Sequence, residues 1–261
     1  GISVPTTWDE VNAAAEKLQA AGIIPFAHGG QAWQDATVFE AVAMGIGGNN
    51  YYKNCYVDLK ESCLRSETTV KVFDQMRKLQ SYTDEGSPGR DWNVATGMVI
   101  EGKAGFQIMG DWAKGEFTAA GKTPGVDYYC SPTPSNNGYL YNVDSFIFYK
   151  TSDPDKQEGQ KLLAKLMMGK NFQKVFNLYK GSIPARLDVS MDEFDKCAKT
   201  SNADIKTAGA SGGLVPSFAH GMAQGNTMKA ALQDIITEHF NSDMSSVDAA
   251  NALADSVLAN M

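Results

Sequence analysis

Residues 97–117, GMVIEGKAGFQIMGDWAKGEF, set an indole and a carboxylate where an apolar strand ends. Residues 104–109 read as a short buried strand that Gly110 breaks. Asp111 and Trp112 then occupy the turn before a helix over 113–120. An indole beside hydrogen-bonding groups at a strand's carboxyl end suits a small polar ligand with one apolar face. A sugar has that chemistry: its C–H face stacks on the ring and its hydroxyls take donors and acceptors. A core tryptophan closing a strand-to-helix corner fits the same residues.

The chain has four tryptophans. Trp8 lies in the first turn of a helix, where it packs. Trp33, Trp92 and Trp112 read as loop or strand-end residues beside small and polar neighbours, in GGQAW, GRDWN and GDWA. Loops line sites, so three such indoles raise a stacking platform as an alternative to three separate packing roles. His220, in PSFAHG before a helix that starts near Asn226, could donate to a hydroxyl, cap a helix or catalyse. His28 is a weaker version of the same, and His239, ending an amphipathic helix, reads as structural. Lys180 sits at a helix end, where a cation also suits the helix dipole.

Asp111 and Asp144 are the pair that a glycosidase reading would use, since that reaction needs two carboxyls across the sugar. The sequence has no Gly-x-Ser-x-Gly, Walker A, His-Glu-x-x-His or dinucleotide fingerprint. No nucleophile with a poised base emerges, and no metal-ligand or cofactor pattern.

These residues must be positioned by an α/β scaffold. Thr7 and Glu10 form a capping box ahead of Val11, Ala14, Ala15 and Leu18 at helical spacing. A short strand over 23–27 runs into the loop at His28, and residues 38–44 read as a helix ending in a glycine-rich turn through Gly48. An amphipathic helix is expected over 66–80 and another over 94–101. After a Pro/Asn/Gly loop over 131–138, residues 139–149 carry a strand-like pattern that Asp144 interrupts. Asp153 and Pro154 open a helix with Leu162, Leu163, Leu166 and Met167 as its stripe. A further helix covers 172–179. From Met191 onward the chain reads as nearly all helix, most clearly over 228–240 and 246–258. Strands are few for an α/β chain of this length.

The chain's 261 residues are 43% hydrophobic, enough for one large or two ordinary domains. A net charge of −7 with no basic stripe argues against nucleic acid. No run of about 18 apolar residues predicts a membrane-spanning helix. The four cysteines contain no C-x-x-C, and sequence alone leaves three pairings open.

Six segments run in order along almost the whole chain: PTTWDE at 5–10, GRDWN at 89–93, residues 98–117, NVDSF at 142–146, KGSIPAR at 180–186 and VPSFAHG at 215–221. In these the chain resembles the periplasmic glucose/mannose-binding proteins of ABC sugar importers, within the wider group that includes maltose-binding protein. The resemblance implies a non-enzymatic receptor that binds a monosaccharide (glucose, with mannose or galactose as epimers) and delivers it to ABC permease subunits. It implies that Trp92 and Trp112 stack on the pyranose, that Asp144, Lys180 and His220 bond its hydroxyls, and that Trp33 adds an aromatic wall. The competing functions are a carbohydrate-active hydrolase and a same-fold receptor for an oligosaccharide or polyol.

The same resemblance implies a periplasmic-binding-protein-like α/β fold of two lobes, closing on ligand by hinge motion. Residues 1–143 and 184–261 correspond to the C-terminal lobe, and 144–183 to a returning segment of the N-terminal lobe. The rest of that lobe is expected to be absent, the chain starting at Gly1 rather than Met, and it becomes an expected partner. The apolar face of Leu162, Leu163, Leu166, Met167, Phe172 and Phe176 is then expected to lack cover. The compartment implied is oxidising, which favours a Cys130–Cys197 bridge and leaves Cys55–Cys63 open.

Overall fold

The computed structural model describes residues 2–135 and 137–261; Gly1 and Asn136 lie outside the described residues. Local signals start the chain well. Thr7 accepts from the Glu10 backbone while the Glu10 side chain reaches back, and helix α1 (Trp8–Ala20) follows. Strand β1 (Ile24–Phe26) leads to α2 (Ala32–Tyr52), which is longer than the apolar run at 38–44 predicts. Gly48 interrupts α2 with φ +74°, a conformation that favours glycine. A π-helical turn (Lys53–Val57) and the short α3 (Glu61–Leu64) come next, joined by a Cys55–Cys63 disulfide.

Ser66 caps α4 (Glu67–Ser81), and α5 spans Trp92–Ile100. Strand β2 (Ala104–Phe106) is shorter than the predicted 104–109. A 3₁₀ turn (Asp111–Ala113) opens α6 (Lys114–Ala119). Strand β3 (Tyr139–Tyr141) precedes α7 (Pro154–Met167), capped by Asp153, and α8 (Lys170–Lys180). Asp195 caps α9 (Lys196–Ser211), β4 is Leu214–Pro216, and α10 (Asn226–Asn241) and α11 (Ser246–Ala259) close the chain.

Among the described residues the strands form two parallel pairs. In β1–β2, Ile24 faces Ala104 and Phe26 faces Phe106. In β3–β4, Tyr139 faces Leu214 and Tyr141 faces Pro216. Parallel strands need crossovers, and helices supply them. The main core lies among α1, α2, α4, α10 and α11, with Phe39, Tyr52, Tyr56, Phe73, Phe218, Leu232 and Phe240 fully or almost fully buried. Each such side chain contributes about 1.5–3 kcal/mol by leaving water.

The strand-like pattern over 139–149 is realised only at 139–141. Residues 142–150 have no ladder partner, and Ile147 and Tyr149 stay 72% and 79% exposed. A β pattern becomes a strand only where another edge accepts its hydrogen bonds. The face expected to lack cover is open: Leu162, Leu163, Leu166 and Phe176 are exposed, while Met167 is buried. The described residues pair Cys130 with Cys197, as the resemblance implied, and hold no free cysteine.

Candidate functional site

Each of the four strands runs, at its carboxyl end, into a segment that carries a candidate residue. β1 leads through His28 and Gln31 to Trp33, β2 to Trp112, β3 to Asp144 and β4 to His220. The carboxyl ends of parallel strands are where α/β sheets hold ligands. Two side chains brace the first of these segments. Buried His28 bonds Asp35 through Nε2 at 2.7 Å, and Asp35 accepts from Thr237 of α10 at 2.8 Å, so His28 is structural. Arg90 pairs with Asp84 and donates to the His28 carbonyl at 3.3 Å, holding the segment before Trp92 against the one before Trp33.

The three loop indoles of the sequence reading are helix-start residues. Trp33 lies in the first turn of α2, Trp92 is the first residue of α5, and Trp112 is in the 3₁₀ turn before α6. The initiators at Gln31, Asp91 and Gly110 make no side-chain cap bond, which is why local pattern placed these indoles outside helices.

An open cleft of about 420 Å³ is lined by Trp92, Trp112, Gly115, Glu116, Tyr179 and Lys180. Asp144 joins it through an ion pair with the Lys180 ammonium. That hydrogen bond holds the Asp144 carboxyl below the usual carboxylate range. His220 joins it through Trp112, which it meets edge-on with ring centroids 5.1 Å apart, and Trp33 lies edge-on to the same imidazole at 5.9 Å. Trp33 Nε1 donates to Gln31 Oε1 at 2.8 Å, and Gln31 Nε2 donates to Asp91 at 2.6 Å beside Trp92. All six candidates therefore belong to one connected cluster.

Burial pushes His220 down to about 4, against the pull of Asp144, so its imidazole is neutral at pH 7. Thr37 donates its hydroxyl to the Trp33 carbonyl at 2.8 Å and lies 3.1 Å from His220 Nε2. Its remaining lone pairs accept from Nε2–H, which assigns that tautomer and leaves Nδ1 as an acceptor.

Asp111, the other acid of the hydrolase reading, is turned to a different task. Its carboxylate accepts from the Ile183 backbone at 3.2 Å and from Ser182, fastening the chain after Lys180 to the Trp112 turn. Burial raises it above the usual range, opposed by those bonds. Gly115 and Gly181 allow the approach: a Cβ on Gly181 would lie 2.7 Å from the Gly115 nitrogen. Sequence reasoning missed Gln31, Thr37, Glu116 and Tyr179. Gln31 and Thr37 flank Trp33 at i−2 and i+4, a signal usable only once that stretch is known to be helical.

The arrangement offers aromatic faces, an acid–cation pair and a neutral imidazole around an open cleft, which suits a hydroxyl-rich ring. Residues 1–167 match the bacterial extracellular solute-binding protein family. The chain is 47% identical over 98% of its length to a probable sugar-binding periplasmic protein of Brucella suis, and 44% identical over 98% to one of Rhizobium meliloti. It spans 61% and 62% of the length of those two relatives. Among solved structures, a chitin oligosaccharide binding protein matches with TM-score 0.76 at 18% identity, over 97% of this chain and 64% of that one. The bacterial solute receptor AcbH, described as preferring β-D-galactopyranose, matches with TM-score 0.70 at 17% identity, over 99% of this chain and 66% of it. The family match over more than half of the chain and the identity to these relatives agree: the chain belongs to the bacterial extracellular solute-binding protein family.

Proposed function

We propose that the chain forms the greater part of a periplasmic receptor that binds a monosaccharide, glucose first and mannose or galactose as epimers, and passes it to an ABC permease without chemical change. The observation that carries this reading is the cleft in which Trp92 and Trp112 meet the Lys180–Asp144 pair. The indoles take the apolar face of the pyranose, while Asp144, Lys180 and His220 bond hydroxyls and Trp33 closes the wall behind His220. Bonds with one charged partner are roughly twice as strong as neutral ones, and a site built on them rejects analogues lacking the hydroxyl. The sugar-binding and periplasmic descriptions carried by the relatives support the same ligand class and location.

In this reading residues 144–183 belong to a second lobe, and 1–143 with 184–261 form the first. The exposed apolar side chains of 143–149, α7 and α8 support that division. Amide exchange in which 154–180 opens independently of α2 and α10 would agree with it; one cooperative opening of both would overturn it.

The test of function is a tryptophan-fluorescence titration with glucose, mannose, galactose, maltose, a chitin oligosaccharide and a polyol. Saturation by a monosaccharide alone supports the reading. A preference for maltose or the chitin oligosaccharide replaces the monosaccharide with an oligosaccharide. Turnover of an aryl glycoside, lost in Asp111→Asn, would instead establish the hydrolase.

A further inference from the structure

Glu40 is a carboxylate inside the most apolar part of α2, 3% exposed, and no cation pairs with it among the described residues. Its partners all concern one turn, the five residues after Val215. Ser217 Oγ donates to both carboxylate oxygens at 2.7 and 2.9 Å, and the Ala219 backbone N–H donates at 3.3 Å. Tyr52 Oη donates at 3.0 Å and itself accepts from the Phe218 backbone at 3.1 Å. Ser217 Oγ, while donating to Glu40, accepts from the His220 backbone N–H at 3.1 Å.

One helical turn before Glu40, on the same α2, Thr37 holds the His220 ring at Nε2. A turn earlier, Trp33 meets that ring at its edge. Helix α2 therefore fixes the histidine twice: its backbone through the Glu40–Ser217 relay and its imidazole through Thr37. A buried, unpaired carboxylate costs several kcal/mol that an apolar residue would not, so its presence calls for a role that packing does not supply.

We propose that Glu40 is the positioning residue of the ligand site, setting the orientation of His220 through Ser217 without touching ligand. The inference rests on His220 being a ligand contact, as in the proposed function, but its geometry can be tested without any ligand. A carboxylate accepts all of these bonds at once. Protonation makes one of its oxygens a donor, so Ser217 or Tyr52 must turn its own hydrogen away, and Tyr52 has the Pro216 carbonyl at 3.2 Å to take it. Burial pushes Glu40 up to about 7, so that exchange falls in the neutral range. The titratable group bonded to it is Tyr52 along α2, whose hydroxyl burial holds well above 10; Tyr56 lies tilted beside Tyr52, and His220 lies beyond Ser217.

The experiment follows the His220 imidazole signals by NMR across pH, assigned by their loss in His220→Gln among three histidines. In the wild type we expect a step near pH 7 that reports Glu40, separate from the ring's own titration at about 4. Glu40→Gln should abolish that step, move the ring signals and weaken sugar binding about tenfold, one lost bond's worth. Ser217→Ala, which keeps the acid and cuts the relay, should move the same signals and is the readout if Glu40→Gln does not fold. Unchanged His220 signals and an unchanged pH profile in either folded variant would overturn the inference. Signals that respond in a chain silent to every sugar would uphold the positioning and sink the receptor reading instead.

Discussion

Trp112 and His220 meet edge-on, their ring planes at 82° and their centroids 5.1 Å apart. One follows β2 and the other β4, strands of different sheets, so this contact brings the two sheets' carboxyl ends into one cluster. It also keeps the indole upright beside Lys180 in the cleft. A neutral imidazole against an indole edge needs no counter-charge, in keeping with the lowered His220.

Replacing Trp112 by alanine is expected to cost about 2 kcal/mol of sugar binding, roughly thirtyfold in Kd, as central aromatic contacts do. The same change at Trp8, buried in the core away from the cleft, should lower Tm and leave the Kd of the folded protein within about twofold. Calorimetry of both variants against the best sugar of the panel checks this. Equal effects on Kd would place no special weight on Trp112.

Gly181→Ala should damage the site from outside it. Gly181 has φ +90°, and an added Cβ would sit 2.7 Å from the Gly115 nitrogen and 3.1 Å from the Asp111 carbonyl. The strain is about 1–2 kcal/mol from the left-handed backbone alone, with the clash added. We expect a lower Tm and weaker sugar binding together, because Lys180 precedes the glycine. Gly159→Ala, in open space on α7, should do neither.

The two disulfides differ in the loops that they close. Cys130 and Cys197 are separated by 67 positions, Cys55 and Cys63 by 8. Chain entropy then gives about 4 kcal/mol for the first and about 2.5 kcal/mol for the second. Denaturant unfolding of Cys130→Ser/Cys197→Ser and Cys55→Ser/Cys63→Ser double variants should rank in that order. The reverse order would mean that the short bridge fixes native structure around the π-helical turn.

Acid should unfold the protein partly through two histidines. Burial pushes both His220 and His239 down to about 4 from 6.5, and neither His239 ring nitrogen has a hydrogen-bond partner among the described residues. The unfolded chain binds protons first, so stability falls as pH drops from about 6.5 to about 4. Glu40 has the opposite sign: raised to about 7 from 4.5, it favours the folded state most below 4.5 and loses that contribution as pH rises through 7. His239→Phe, filling the same space against Phe73 at 4.7 Å, should flatten the acid limb in a Tm-against-pH series, and Glu40→Gln the neutral one. An acid limb unchanged in His239→Phe would assign the loss to other groups.

What could be read directly were features whose partners lie within a turn of each other. The Thr7–Glu10 box, the Asp153–Pro154 helix start and the apolar spacing of α4 are short-range relationships, and the structure reproduces them within a residue or two. Indole, acid, cation and imidazole also name, by type alone, the kinds of group that a ligand site would use. Features that depend on a distant partner were not legible. Residues 142–150 have a strand's composition and no edge to pair with, and Trp33 looked like a loop residue because Gln31 starts its helix without a side-chain cap.

A lone acid in FEAVAM reads as one solvated position on a helix, so the sequence does not single out Glu40. Only the fold brings Ser217 and Ala219 to it from the far end of the chain. The sequence by itself determined the helices and the kinds of group available for a site, since local hydrogen bonding and residue chemistry are carried in the chain. The tertiary structure alone decided that Lys180 meets Asp144, that Trp33, Trp112 and His220 share one wall, and that α2 holds that wall in place. Those contacts form when parallel strands and crossover helices bring segments far apart in sequence together.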